Sequence, residues 1–129
     1  MEIQNLTLLS PLYYAAAESA QLTKSDPFNY REEDGEKLYC FELNENEYCS
    51  FEPNKETLLG RLVFSQVLPG GNYLFAQKRE ILSRDEIINM AVEIQAEGLW
   101  QRLKPGKTLY LRYLFEDSSA VTQLYRPYS

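Results

Sequence analysis

The most regular pattern of apolar and polar positions follows Ser83 and predicts a long helix. Apolar and small residues recur there at spacings of three and four, at Ile87, Ala91, Ile94 and Gly98. This spacing places them on one face of a helix. Ser83 and Glu86 match a capping box, and Pro105 with Gly106 is expected to stop the helix. Gly98 within the apolar face indicates either close packing against a sheet or an earlier helix end.

Alternating segments rich in β-branched and aromatic side chains predict strands. They are expected at residues 3–9, 108–116 and 120–126, the last two joined by a turn at Asp117-Ser118-Ser119. Residues 12–22 fit either a strand, because of Leu-Tyr-Tyr, or a short helix, because of three alanines.

Two further hairpins are expected in the middle of the chain. One joins residues 38–43 to 47–51, and the other joins residues 60–68 to 73–79 around Pro69-Gly70-Gly71. With the helix and the terminal strands they predict one α+β domain over the whole chain, an antiparallel sheet with a long helix on one face.

Four short motifs in the C-terminal 90 residues or so resemble the GyrI-like family, which includes AraC-type effector-binding domains. They are Leu68-Pro69-Gly70-Gly71-Asn72-Tyr73, Leu99-Trp100, Leu109 to Tyr113, and Arg126-Pro127-Tyr128. The resemblance implies two strand–helix–strand–strand modules. A second short helix would then come from residues 13–22. It also implies a non-catalytic domain that senses amphipathic, often cationic, small molecules.

The ligand pocket that the resemblance implies is expected on the sheet face away from the helix. The residues expected to line it, with Trp100 nearby, are Tyr39, Phe41, Tyr73, Leu111 and Tyr113. The ligand-pairing glutamate of the family falls at Leu111, and Glu116, the nearest acid in that strand, is expected on the opposite face. A chain with ten Tyr, six Phe and one Trp can stack a ligand on its aromatic rings, or use the rings to fill a sheet.

Charge is distributed unevenly between the two halves of the chain. Residues 1–60 carry 12 acids and 4 bases, whereas residues 61–129 carry 7 acids and 9 bases, for a net charge of −6. Nucleic-acid binding is not expected, because it depends on basic patches. The acidic half suits a basic protein partner or a cationic ligand, and a protein-interaction module or homodimer without a small ligand is the alternative function. Simple solubility is the other interpretation of the charge.

Catalysis, cofactors and metals are not expected from the residues present. The chain has no histidine, which excludes Ser-His-Asp and Cys-His schemes and the usual zinc ligands. Glu42 and Glu47 would face each other across the first hairpin, as acid–base partners or as solvated charges. A hydrolase on this fold is the third hypothesis.

Cys40 and Cys49 would also lie opposite each other in that hairpin, within reach of a disulfide. Because no secretory signal is visible, reduced thiols and a cytoplasmic location are expected. No apolar stretch approaches the length of a membrane span.

Overall fold

The computed structural model describes residues 2–14, 27–63 and 67–129. Within them one long helix packs on a six-stranded antiparallel sheet, so the expected α+β class is confirmed. The helix is α1 (Arg84–Trp100), and the strands are β1 (Gln4–Leu8), β2 (Leu12–Tyr13), β3 (Lys37–Leu43), β4 (Leu59–Val63), β5 (Val67–Leu68), β6 (Gly71–Lys78), β7 (Thr108–Glu116) and β8 (Ser119–Tyr128).

The large sheet has the order β1-β6-β8-β7-β3-β4, and β2 and β5 form a separate two-stranded ribbon. β6, α1, β7 and β8 follow one another as strand–helix–strand–strand. Two short 3-10 turns, Pro27–Asn29 and Glu32–Asp34, precede β3. The second short helix is not confirmed, since most of residues 13–22 lies outside the described residues.

The beginning of α1 has the capping box that the sequence predicts. The amide of Glu86 donates to Ser83 Oγ at 3.3 Å, and the amide of Ser83 donates to Glu86 Oε1 at 3.2 Å. Gly98 is buried inside the helix, and a Cβ there would lie 3.0 Å from Leu74 Cδ1. Close packing against the sheet, rather than an early helix end, therefore explains this glycine.

The end of α1 comes before Pro105 and has its own hydrogen bonds. The amide of Leu103 donates to the carbonyl of Gly98 at 3.0 Å, and the amide of Arg102 donates to the carbonyl of Leu99 at 3.1 Å. These two bonds define a Schellman motif. Its left-handed position is occupied by Arg102, with φ at 59°, where glycine is the usual residue.

The terminal hairpin is confirmed, and the two expected in the middle of the chain are wrong. β7 and β8 meet at Asp117 and Ser118, whose φ angles of 53° and 65° suit a two-residue hairpin turn. Residues 47–51 form turns instead of a strand, and β3 pairs with β4 and β7. β4 and β6 are not neighbours, because β6 pairs with β1 and β8.

Side chains from the helix and the sheet explain why residues 47–51 do not form a strand. The amide of Gln95 donates to the carbonyls of Glu47 and Ser50, and Arg126 donates to the carbonyl of Tyr48. These carbonyls are therefore satisfied without a partner strand.

The main core lies between α1 and one face of the large sheet. The helix contributes Ile87, Met90, Ala91 and Ile94, and the strands contribute mainly Tyr39, Phe41, Leu74, Leu109, Leu111, Tyr113 and Leu124. A smaller cluster occupies the opposite face. It comprises Leu38, Leu68, Tyr73, Phe75 and Tyr125, with Leu6, Leu8, Leu12, Tyr14 and Tyr110 partly buried around it.

Candidate functional site

The sheet face opposite α1 presents two adjacent rows of side chains across β6, β8 and β7. Register pairs Gln77 with Gln123 and Gln123 with Arg112, which makes one row polar. The next row pairs Phe75 with Tyr125 and Tyr125 with Tyr110. Because side chains alternate along a strand, both rows project to the same side. We call this surface, with Tyr73 and Tyr14, the tyrosine–arginine face.

Arg112 lies half-buried at the centre of the tyrosine–arginine face. Its Nε donates to the hydroxyl of Tyr14, and its Nη1 lies 3.3 Å from Gln123 Oε1 and 3.4 Å from the hydroxyl of Tyr125. The guanidinium carbon also lies 5.8 Å from the centre of the Tyr14 ring, within cation–π distance. Tyrosine and glutamine oxygens therefore hold the arginine side chain in place.

The polar row continues from Arg112 across the sheet. The hydroxyl of Tyr125 donates to Gln123 Oε1 at 2.5 Å, and Gln123 Nε2 donates to Gln77 Oε1 at 2.9 Å. Each bond fixes the orientation of the next amide, so the row forms a connected network.

The aromatic row is packed edge to face. The ring of Tyr73 lies 6.2 Å from that of Tyr110 and 5.7 Å from that of Tyr125, in both cases nearly perpendicular. Phe75 and Tyr125 are 4.9 Å apart. Tyr110 is only half-buried, so part of its ring remains available to a further aromatic or apolar group.

Burial makes the phenols of this face harder to ionise. It raises the pKa of Tyr14, Tyr110 and Tyr125, and that of Tyr73 to about 12. Burial also works to lower the pKa of Arg112, but its hydrogen bonds to Tyr125 and Tyr14 outweigh this and raise that pKa. Around neutral pH the face therefore combines neutral hydroxyl donors with a permanent positive charge.

Only Tyr73 among the six residues expected at the pocket lies on the tyrosine–arginine face. Trp100 lies at the end of α1 with 82% of its surface exposed. The other four are buried beneath the helix, so their expected position on the opposite face is wrong: Tyr39, Phe41, Leu111 and Tyr113. Tyr113 stacks on Tyr30 with ring centres 4.0 Å apart, which is core packing.

The reason lies in the alternation of β7. The uniformly apolar side of that strand, with Leu109 and Leu111, turns to the apolar stripe of the helix. Arg112 and Tyr110 are left on the other side. Matching the more apolar side of the strand to the helix would have located the face from the sequence.

The β2–β5 ribbon covers one end of the tyrosine–arginine face. Leu12 and Leu68 pair across the ribbon, and both belong to the cluster around Tyr73 and Phe75. The apolar end is therefore filled by the protein itself. Tyr110 and Arg112 are half-buried, so this other part of the face stays partly exposed.

The other candidate groups are separate from one another. Glu42 forms an ion pair with Arg61 at 3.2 Å, while Glu47 accepts a hydrogen bond from the amide of Asn54 at 2.7 Å. Their expected position across a hairpin is wrong. Both cysteines are free: Cys40 is buried next to Tyr110, and Cys49 is exposed.

No protein-family model matches the chain, and no match is found among curated proteins or solved structures. In the described part of the chain, no cluster of three or more His, Cys, Asp or Glu is placed to hold a metal ion. No helix in the same ranges has the length and apolarity required to cross a membrane.

Proposed function

We propose that this chain is a non-catalytic domain that binds an amphipathic small molecule on the tyrosine–arginine face. The observation that carries the proposal is the half-buried cation of Arg112 next to the half-buried ring of Tyr110. Binding sites for small molecules commonly combine aromatic walls with a few oriented polar groups. The resemblance to GyrI-like proteins points to the same class of function.

The geometry supports a ligand position towards β7, away from the ribbon. An apolar part of the ligand would lie on Tyr110, whose ring is held edge to face by Tyr73 with ring centres 6.2 Å apart. Its polar part would meet Arg112 and the hydroxyl of Tyr14. Sites in which the polar groups are already hydrogen-bonded into place lose little freedom when a ligand binds.

Thermal unfolding with a panel of hydrophobic cations, neutral aromatics and aromatic anions tests the proposal. A ligand at 100 times its Kd adds about 2.7 kcal/mol to stability, which raises Tm by several degrees for a domain of this size. Tyr110→Ala should abolish the shift. Trp100→Ala is the matched control, because that aromatic residue is exposed at the helix end, and it should leave the shift unchanged. A panel that produces no shift, or a shift lost equally in both variants, contradicts the proposal.

Among the described residues no strand lies beyond β1, and this edge favours a second candidate, a protein-interaction module that pairs with a copy of itself. β1 is the first strand of the sheet order and has no charged residue between Gln4 and Leu8. An uncharged edge with free backbone donors and acceptors is a template for another strand. Leu9, beyond this strand, is 96% exposed. Sedimentation equilibrium from micromolar to millimolar protein tests this candidate, and a monomer throughout contradicts it.

A further inference from the structure

We infer that the ligand of the tyrosine–arginine face is an amphipathic carboxylate, bound through Nη2 of Arg112 and the hydroxyl of Tyr14. This inference rests on the proposed function and names the chemical class of its ligand. It differs from the cationic ligands that the family resemblance implies.

The first argument is the missing counter-charge of Arg112. Several exposed basic side chains have carboxylate partners, as in Arg61–Glu42 at 3.2 Å and Lys107–Glu45 at 2.7 Å. No carboxylate among the described residues lies within 4 Å of Arg112. Its hydrogen-bond partners on this face, Tyr14, Gln123 and Tyr125, are all neutral, although the charge of Glu36 also acts on Tyr14 and contributes to its raised pKa. An incoming anion gains the most binding free energy from a half-buried cation that has no acidic partner.

The second argument is the number of donors that remain. A guanidinium has five N–H groups. Tyr14 accepts from Nε, whereas Gln123 and Tyr125 accept from Nη1, and no hydrogen bond joins Nη2 to a described residue. The described part of the chain contains no buried side-chain nitrogen or oxygen without a partner. Nη2 is therefore not fully buried, and its N–H groups remain available to an anion.

Arg126 shows what a purely structural arginine looks like in the same sheet. It also lacks a carboxylate partner, but each of its nitrogens is used. Nε donates to the carbonyl of Gly106, Nη1 to Gln95 Oε1 and Nη2 to the carbonyl of Tyr48. Arg126 has no nitrogen left for a ligand, whereas Arg112 has an entire terminal amino group.

A carboxylate fits the remaining donors better than a bare anion does. One oxygen can accept from Nη2 while the other accepts the hydroxyl proton of Tyr14, whose oxygen already receives the Nε proton. The rest of the molecule then extends along the half-buried ring of Tyr110. Such a ligand uses both the charge and the apolar surface of the face.

Three probes that share one ring system test the inference: 2-naphthoate, its amide 2-naphthamide, and 2-naphthylmethylammonium. Affinities are measured by isothermal titration calorimetry with the full chain. We expect the carboxylate to bind at least about tenfold more tightly than the amide, because an ion pair with the guanidinium is stronger than a hydrogen bond from it to a neutral amide oxygen. Arg112→Gln should weaken carboxylate binding much more than amide binding, so that the preference for the carboxylate is lost.

A gentler variant covers the case in which Arg112→Gln does not fold. Tyr14→Phe keeps the ring and removes the hydroxyl, so it should weaken carboxylate binding several-fold and amide binding less, because a hydrogen bond to a charged acceptor is the stronger one. Trp100→Ala serves again as the control and should change neither. Equal affinity for all three probes, or preference for the ammonium, overturns the inference but supports the proposed function. Binding of none of the three at millimolar concentration overturns both.

Discussion

The buried guanidinium of Arg126 gives the most demanding stability prediction. Arg126 is 2% exposed and connects β8 to three separate segments, through Gln95, Gly106 and Tyr48. Arg126→Met keeps an unbranched apolar stem and removes all three bonds. It should destabilise the fold although it also removes a buried charge.

The magnitude follows from two opposing contributions. Hydrogen bonds from a charged donor contribute about 1.5–3 kcal/mol each, so losing three costs about 6 kcal/mol. Burial lowers the pKa of Arg126 from 12.5 to about 10, which corresponds to a penalty of about 3 kcal/mol on the charged form. Methionine relieves that penalty. The net loss is about 3 kcal/mol, or about 10 °C in Tm for a chain of this size.

Urea unfolding followed by circular dichroism measures this loss. Arg61→Met is the matched control, because Arg61 forms an exposed ion pair with Glu42, with 76% of the arginine side chain accessible. The control should lower stability by less than about 1 kcal/mol. If Arg126→Met is as stable as the parent chain, or more stable, desolvation outweighs the hydrogen bonds and the reasoning is wrong.

Three further predictions concern other parts of the chain. Arg102→Gly should stabilise the fold by about 1 kcal/mol, since glycine adopts the left-handed conformation at the end of α1 without steric cost; an unchanged urea midpoint would contradict this. A thiol reagent should modify the exposed Cys49 in the native protein and Cys40 only after denaturation; mass spectrometry of the labelled peptides distinguishes them, and equal labelling refutes the assignment. Burial raises the pKa of Cys40 from 9.0 to about 11 and that of Tyr73 from 10.0 to about 12. Because the folded chain keeps these protons to higher pH than the unfolded chain, their contribution to the free energy of unfolding is complete below about pH 9 and is lost as the pH rises towards 12. Urea unfolding at pH 8, 10 and 11 should show a steady decline in stability, and constant stability would argue against this.

Local signals in the sequence were sufficient for the elements that depend on neighbouring residues. The capping box at Ser83 and the turn at Asp117 involve residues within a few positions of each other, and both are found in the structure. The pairing of β6 with β8 was not predictable in this way. It joins segments about 50 residues apart, and an Asn-Gly or Pro-Gly turn signal carries no information about such partners.

The same distinction applies to the candidate site. The sequence correctly separates the two sides of β7, with Arg112 and Tyr110 on one and Leu111 and Tyr113 on the other. Alternation alone does not say which side the helix will cover; that step requires matching the more apolar side of the strand to the apolar stripe of the helix. Residues 47–51 illustrate a second limit of prediction from local sequence. Three of their carbonyls accept hydrogen bonds from Gln95 and Arg126, which lie far away in the chain.

The choice of side in β7 also bears on the charge of the proposed ligand. The resemblance to GyrI-like proteins implies that cations are recognised by a carboxylate at the position of Leu111. In this chain that position has no accessible surface, because it packs under the helix. An acid at Leu111 would be buried in the core, and no ligand would reach it. The neighbouring Arg112 faces the opposite side, where Tyr110 is half-buried. A ligand on this strand would therefore meet a positive charge, and the proposed binding of carboxylates follows from strand geometry rather than from the net charge of −6.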